Sequence, residues 1–228
     1  MSVTLLSLRT QARQRADQVN STFIADAELT GYVNNSLAEL YDLLVSRYEG
    51  YYILPPVTFT IASGADTYTL PSNFYKLKGL DRNLSGDEWY SIQAFNFQER
   101  NQRARPITRT ILGSSDLAYR ILGSKIYFVP TALAPGTYRI WYIPQYTPLV
   151  ADGDTADCVN GWEEYIVLDA AIKMMIKEES DVSALFMLKQ ALIERIEAMA
   201  DNQDIGRPER ISDVKMQSGG QDNRGFNW

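Results

Sequence analysis

Apolar residues at the start of the chain recur every three or four positions, which is the spacing of one face of an α-helix. The first stripe predicts a helix over residues 3–19, and a second predicts a helix over 27–48 with Asp26 as its N-cap. Two further stripes predict helices over 162–179 and 182–202. The first stripe is Leu5, Leu8, Ala12, Ala16 and Val19, and the last is Leu185, Leu188, Leu192, Ile196 and Met199.

The middle of the chain changes to a period of two, which indicates β-strands. Val57, Phe59 and Ile61 alternate with threonines, and a turn at 63–66 leads to a second run over 67–70, so we expect a hairpin. The turn at 121–125 predicts another hairpin. Further strands are predicted over 75–80, 88–92, 117–122, 125–129 and 137–143, with a short helix over 95–102.

The order of these elements predicts an α+β fold. Helical hairpins at 1–50 and 160–202 are expected to pair into one four-helix bundle. The β-rich insertion at 51–159 has strands at the spacing of a small antiparallel sandwich or barrel. Residues 203–228 are expected to form an extended C-terminal tail.

The tail has two Gly-rich breaks, a proline and many polar residues, but it also has scattered large apolar side chains. Such a segment cannot bury enough apolar surface alone to offset the entropy of ordering. Its composition is typical of a segment that orders on a partner, and the alternative interpretation is a frayed terminus.

Composition excludes several kinds of chemistry. The chain has no histidine, which removes the commonest general base and most metal sites, and its one cysteine has no histidine to activate it. The net charge of −6 disfavours a sequence-independent grip on phosphates. No apolar run reaches 18 residues, so we expect no membrane-spanning segment. We therefore expect neither catalytic residues nor a cofactor or metal ion.

Three groups of residues nevertheless need an interpretation. Asp152, Asp154 and Asp157 could offer oxygen ligands to a hard cation, and so support a metal-dependent hydrolase, but their spacing misses the EF-hand pattern. The alternative is an acidic loop before a helix. The clustered arginines indicate solvated surfaces rather than nucleic-acid patches; they are Arg9, Arg13 and Arg15, and Arg100, Arg103, Arg105 and Arg109. The two Trp-Tyr pairs, Trp89-Tyr90 and Trp141-Tyr142, indicate packing within a sheet rather than a sugar-binding platform.

The sequence resembles the head-to-tail adaptor (connector or gatekeeper) proteins of tailed bacteriophages. The matching stretches are FIADAELTGYVNNSLAELYDLL at 23–44, YEGYYILPPVTFTIASGADTYTLPSNFYKL at 48–77 and WEEYIVLDAAIKMMIKEES at 162–180. The resemblance implies a helical bundle with a β-rich insertion, in a non-enzymatic protein of the virion that is made in the host cytoplasm.

The resemblance also implies partners. It implies a dodecameric ring between the portal and the tail or nozzle protein, through which DNA passes without specific binding and without contact with a membrane. In this family the C-terminal extension inserts among portal subunits. Carried onto this chain, the portal-binding residues are Arg207, Arg210, Ile211, Val214, Arg224, Phe226 and Trp228. The alternative function is a β-domain binding module, for a receptor or a glycan, on a helical stalk.

Overall fold

The computed structural model describes residues 2–20, 22–104, 117–158 and 161–201. Within these residues the fold is mixed α+β, as predicted, with five α-helices and ten strands. The helices are α1 (Leu5–Arg15), α2 (Asp26–Arg47), α3 (Arg100–Arg103), α4 (Glu163–Lys177) and α5 (Ser183–Asp201).

Four of these helices, α1, α2, α4 and α5, share one hydrophobic core. Helix α4 contacts the other three, and every residue from Tyr165 to Ile172 is buried, as expected for a mostly apolar helix at the centre of a core. Leu8 of α1, Leu29 of α2 and Ile196 of α5 pack into the same core. This shared core holds the helices before the β-rich region and those after it together. The bundle geometry itself stays a prediction.

Two details of the predicted helices are wrong. Helix α1 ends at Arg15 because Asp17 adopts a positive φ of 57°, so Val19 lies outside the helix and is exposed. Asp26 is the first residue of α2 rather than its N-cap, which is Ala25. The Asp26 carboxylate accepts a hydrogen bond from Arg13 at 2.9 Å instead.

The strands form two four-stranded sheets and one small two-stranded sheet. One four-stranded sheet has the order β2-β9-β4-β5, the other β3-β8-β7-β6, and β1 pairs with β10. Every pair is antiparallel except β6 with β7. The strands are β1 (Ser2–Thr4), β2 (Val57–Ile61), β3 (Thr67–Thr69), β4 (Phe74–Ser85), β5 (Glu88–Ser91), β6 (Gln93–Ala94), β7 (Ala118–Leu122), β8 (Lys125–Val129), β9 (Gly136–Pro144) and β10 (Thr155–Asp157).

The hairpin predicted over 57–70 is wrong, although both of its strands exist. Strand β2 pairs with β9 and β3 pairs with β8, so the turn between β2 and β3 passes from one sheet to the other. The two strands meet face to face rather than edge to edge, because the ring of Phe59 stacks on that of Tyr68 at 3.6 Å between centroids. The second predicted hairpin, β7 with β8, is confirmed.

Side chains from both four-stranded sheets form the second core. Phe59, Tyr138 and Ile140 come from one sheet, and Ile126 and Phe128 come from the other. Each of these positions alternates with a residue on the opposite face of its strand. Whether the arrangement closes as a sandwich or a barrel stays a prediction.

A smaller cluster joins the helices to the sheets. Tyr41 and Val45 of α2 pack against Ile143 of β9. The Tyr41 hydroxyl donates a hydrogen bond to the carbonyl of Pro144 at 2.5 Å. Burial raises the pKa of Tyr41 to about 12, so this donor keeps its proton throughout the physiological range. Helix α2 is therefore the element on which both cores meet.

Candidate functional site

The seven predicted portal-binding residues, Arg207, Arg210, Ile211, Val214, Arg224, Phe226 and Trp228, lie outside the described residues. Helix α5 brings the chain to Asp201, directly before that segment. The attachment of α5 to the rest of the protein therefore fixes the position of the last described residues before that segment.

A buried polar cluster fastens α5 to α4 and α2. Asp169 of α4 is only 3% exposed. Its carboxylate oxygens form ion pairs with the Nζ atoms of Lys189 of α5 and Lys173 of α4, each at 2.6 Å. The Ser36 hydroxyl of α2 donates to the same carboxylate at 2.6 Å. Glu39 of α2 lies 2.8 Å from Lys173 and 3.5 Å from Lys189. Two lysines and two carboxylates thus form a network across three helices.

The pKa values in this cluster favour the charged forms. Burial alone would raise the pKa of Asp169, but hydrogen bonds from Lys173, Lys189 and Ser36 outweigh it and hold that pKa below its usual value. Burial alone would lower the pKa of Lys189, and its contact with Asp169 outweighs that effect, so the pKa is raised. Asp169 and Lys189 are therefore both charged at neutral pH.

Helix α5 faces its neighbours with a different stripe from the predicted one. Leu185, Leu192 and Ile196 are packed or buried as expected, but Leu188 and Met199 are about half exposed. The packed face is centred on Lys189, which reaches Asp169, so Leu188 points aside. The apolar periodicity of the sequence predicts that Leu188 lies on the packed face. The face that α5 turns towards its neighbours is instead set by the ion pair between Lys189 and Asp169.

The first two turns of α5 expose three consecutive large apolar side chains. Phe186, Met187 and Leu188 are 57%, 71% and 52% exposed. A run of this kind on a surface is unfavourable unless it serves a contact. Glu178, Glu179 and Asp181, all exposed, lie between the end of α4 and the start of α5. We call residues 186–188 the α5 apolar turn.

A groove of about 430 Å³ lies where α2 meets the end of β9. Leu37 and Tyr41 of α2 form one wall, and Leu54, Tyr146 and Leu149 contribute to the others. The rings of Tyr41 and Tyr52 are 4.4 Å apart between centroids. This mostly apolar and aromatic lining suits the insertion of side chains from a partner. We call it the α2–β9 groove.

Two of the three arginines of α1 are not on the solvated face that the sequence predicts, whereas Arg15 is exposed as predicted. Arg9 and Arg13 have side chains only 12% and 14% exposed. Arg9 pairs with Asp152, while Arg13 donates to the carbonyl of Ile24 at 2.7 Å as well as to Asp26. Arg15 pairs with Glu164 of α4. These cations join α1 to distant segments and have a structural role.

Two carboxylates of the acidic loop before α4, those of Asp152 and Asp154, are engaged within the chain. Asp152 accepts from Arg9, and Asp154 accepts the backbone N–H groups of Val150 and Ala151 at 2.7 and 2.8 Å. These backbone hydrogen bonds hold the pKa of Asp154 below its usual value. Among the described residues no group of three metal-ligating side chains comes together. The geometry supports the acidic-loop interpretation.

The outer face of the sheet β2-β9-β4-β5 has a polar aromatic cluster. Asp81 accepts from Arg139 at 2.7 Å, from the Trp141 indole at 2.9 Å and from Ser91 at 2.7 Å. Burial alone would raise the pKa of Asp81, but these three donors outweigh it and the pKa is lowered. The Arg139 guanidinium also lies 4.6 Å from the centroid of the Trp89 ring. Trp141, Asp81 and Arg139 line a shallow groove of about 310 Å³.

The other predicted candidates have local partners. Tyr142 is buried in the sheet core, and Tyr90 packs against it, as predicted for sheet packing. Arg103 pairs with Glu99 at 2.8 Å, and Arg100 lies 4.6 Å from the centroid of the Phe97 ring. Arg105 and Arg109 lie outside the described residues.

Comparison with known proteins gives one family match, to the SU10 adaptor protein family, over residues 3–212. The chain belongs to this family. The match spans all the helices and strands described above except for Ser2, the first residue of β1. It confirms the resemblance to phage adaptor proteins, which are structural components of the virion. It ends at residue 212, so Val214, Arg224, Phe226 and Trp228 lie beyond it. Comparison with curated proteins found no match.

Sequence reasoning missed the two features that the adaptor's structure makes most prominent. Asp169 lies in a strongly apolar run, where a lone aspartate flanked by Lys173 and followed by Lys189 could have indicated a buried pair. No local signal indicates the α2–β9 groove, because its walls are far apart in the chain. Within the described residues no helix is both long and apolar enough to cross a membrane.

Proposed function

We propose that this phage adaptor protein is a non-enzymatic head-to-tail connector. In this proposal copies of the chain form a dodecameric ring between the portal and the tail or nozzle protein, and the genome passes through the ring. The observation that supports it most strongly is the family match over residues 3–212. The net charge of −6 agrees with a channel that DNA passes without specific binding. The protein is made in the host cytoplasm and then becomes part of the virion.

The proposal gives each part of the chain a role. Residues 1–50 and 160–202 form the helical unit, 51–159 the β-rich insertion, and 203–228 the tail that docks onto the portal. The Asp169–Lys189 pair fixes α5 at a defined position, so the tail starts from a rigid base. Apolar side chains such as Phe226 and Trp228 act as anchors, and Arg207, Arg210 and Arg224 donate to acidic groups of the portal. Twelve tails in one ring bind with avidity.

A truncation tests the docking step. Removing residues 205–228 is expected to leave the melting temperature unchanged and to abolish binding to portal rings, measured by co-sedimentation. The control replaces the same residues with a Gly-Ser segment of equal length, which keeps the chain length and removes the anchors. If the truncated protein binds portal as strongly as the full chain, the docking proposal is wrong.

The free protein is expected to be monomeric or weakly associated, because ring closure before portal binding would hamper ordered assembly. Light scattering across a concentration series measures this. A stable ring formed by the purified chain alone at low concentration would contradict the expectation.

One observation favours a second candidate, a β-domain that binds a receptor or glycan. Trp89 and Trp141 lie on the outer face of their sheet rather than in the core, and Trp141 lines the 310 Å³ groove. Trp141→Ala should then abolish binding to host-cell surface glycans, while the core variant Ile140→Val should retain it. The absence of any glycan binding by the native protein would remove this candidate.

A further inference from the structure

Helix α5, which carries the apolar turn, and the α2–β9 groove lie on different sides of helix α2. Glu39 of α2 faces α5, because it lies 3.5 Å from Lys189, whereas Tyr41 lines the groove. Two residues along a helix correspond to a rotation of about 200°, so these side chains point about 160° apart. The groove and α5 are thus on nearly opposite flanks of α2.

The chain cannot fill its own groove with its own apolar turn. Lys189, directly after the apolar turn, is tied to buried Asp169, and Glu197 further along α5 pairs with Arg47 of α2 at 2.7 Å. These contacts hold α5 against the face of α2 that points away from the groove. The apolar turn is therefore held outward on one flank while the groove opens on the other.

We propose that the α5 apolar turn of one copy inserts into the α2–β9 groove of a second copy of this chain. Phe186 and Met187 are the inserting side chains, and Tyr41, Leu54 and Tyr146 receive them. The groove volume of about 430 Å³ is enough for a few large side chains. The acidic residues Glu178, Glu179 and Asp181 stay at the polar rim of the contact.

This pairing joins two different surfaces, so it is a head-to-tail contact that repeats from copy to copy. Such contacts close into rings when the rotation between copies permits it. The inference rests on the proposed ring-forming function and specifies which surfaces make the ring. It also explains why an apolar run is tolerated on an exposed helix turn.

Engineered disulfides test this contact in the full-length protein. The double variant Met187→Cys/Thr147→Cys places one thiol on the apolar turn and one at the groove, where Thr147 is exposed. Oxidation is expected to give a ladder of covalent multimers on a non-reducing gel, both in virus particles and in concentrated protein. The native Cys158 is buried, so it is left in place in all variants.

Matched controls separate this contact from other arrangements. Each single cysteine variant should give no ladder, and Leu84→Cys/Met187→Cys, with its partner thiol at an exposed site on β4, should also give none. Met187→Glu should weaken self-association at least about tenfold, while Leu84→Glu should not. Circular dichroism confirms that each variant is folded.

The outcomes distinguish this inference from the proposed function. Particles that contain the double variant but give no ladder would overturn the inference and leave the adaptor function standing. Dimers of the single Met187→Cys variant would show a symmetric contact and also overturn it. If the native chain is absent from the head–tail joint of particles, the proposed function fails, and a ladder in concentrated protein alone would still support the contact.

Discussion

The charge of Asp169 is expected to contribute more to stability than any exposed ion pair of this protein. Asp169→Asn keeps the size of the side chain but removes the negative charge between Lys173 and Lys189. Removing one partner of a buried ion pair costs about 3–5 kcal/mol, because the remaining charge is buried without compensation. Glu39 still faces both lysines, so the lower end, about 3 kcal/mol, is expected.

Two further variants give the expected order of effects. Lys189→Met leaves Asp169 with Lys173 and Ser36, so it should cost about 2 kcal/mol, the value of one hydrogen bond to a charged group. Lys177→Met is the matched control on α4, because its pair with Glu28 is about one third exposed on both sides. Exposed pairs of this kind contribute little to stability, so Lys177→Met should have the smallest effect of the three variants.

Urea unfolding followed by circular dichroism at neutral pH measures all three free energies. Because the pKa of Asp169 is lowered in the folded state, its contribution is complete above the unfolded value of about 4 and is lost as the pH falls through the folded pKa. The difference between the native protein and Asp169→Asn should therefore be constant from pH 6 to 8 and shrink in acid. The reasoning is refuted if Asp169→Asn costs less than Lys177→Met, or if the difference grows as the pH falls.

Three other measurements follow from the structure. Arg13→Ala should lower the free energy of unfolding by about 1–3 kcal/mol, since it leaves the Ile24 carbonyl and Asp26 without their donor, and no loss in urea unfolding would contradict this. Adding Ca²⁺ or Mg²⁺ should leave the melting temperature unchanged, because the Asp152 and Asp154 carboxylates already accept hydrogen bonds within the chain. A rise in melting temperature that the Asp154→Asn variant lacks would instead support a metal site. Ultraviolet titration should show three tyrosines that ionise only near pH 12, and stability should fall as the pH rises from 10 towards 12, because the unfolded state releases these protons first; ionisation of all tyrosines near pH 10 would refute it. These tyrosines are Tyr41, Tyr138 and Tyr165.

The sequence by itself determined most of the local elements and the family. Helices α1, α2 and α4 appear where apolar residues recur every three or four positions, and Lys125–Val129 is a strand with the predicted bounds. The hairpin of β7 with β8 follows from its short turn. Such features depend on neighbours in the chain, so periodicity and turn chemistry suffice to find them.

Only the tertiary structure decided which distant segments meet. The sequence predicts that β2 and β3 pair as a hairpin, but β2 pairs with β9 and β3 pairs with β8. This pairing stacks the rings of Phe59 and Tyr68 between the two sheets. The face of α5 is set by Lys189 reaching Asp169, which only the assembled helices bring together. Hydrogen bonds, buried charges and grooves join residues far apart in sequence, and no local pattern encodes that pairing.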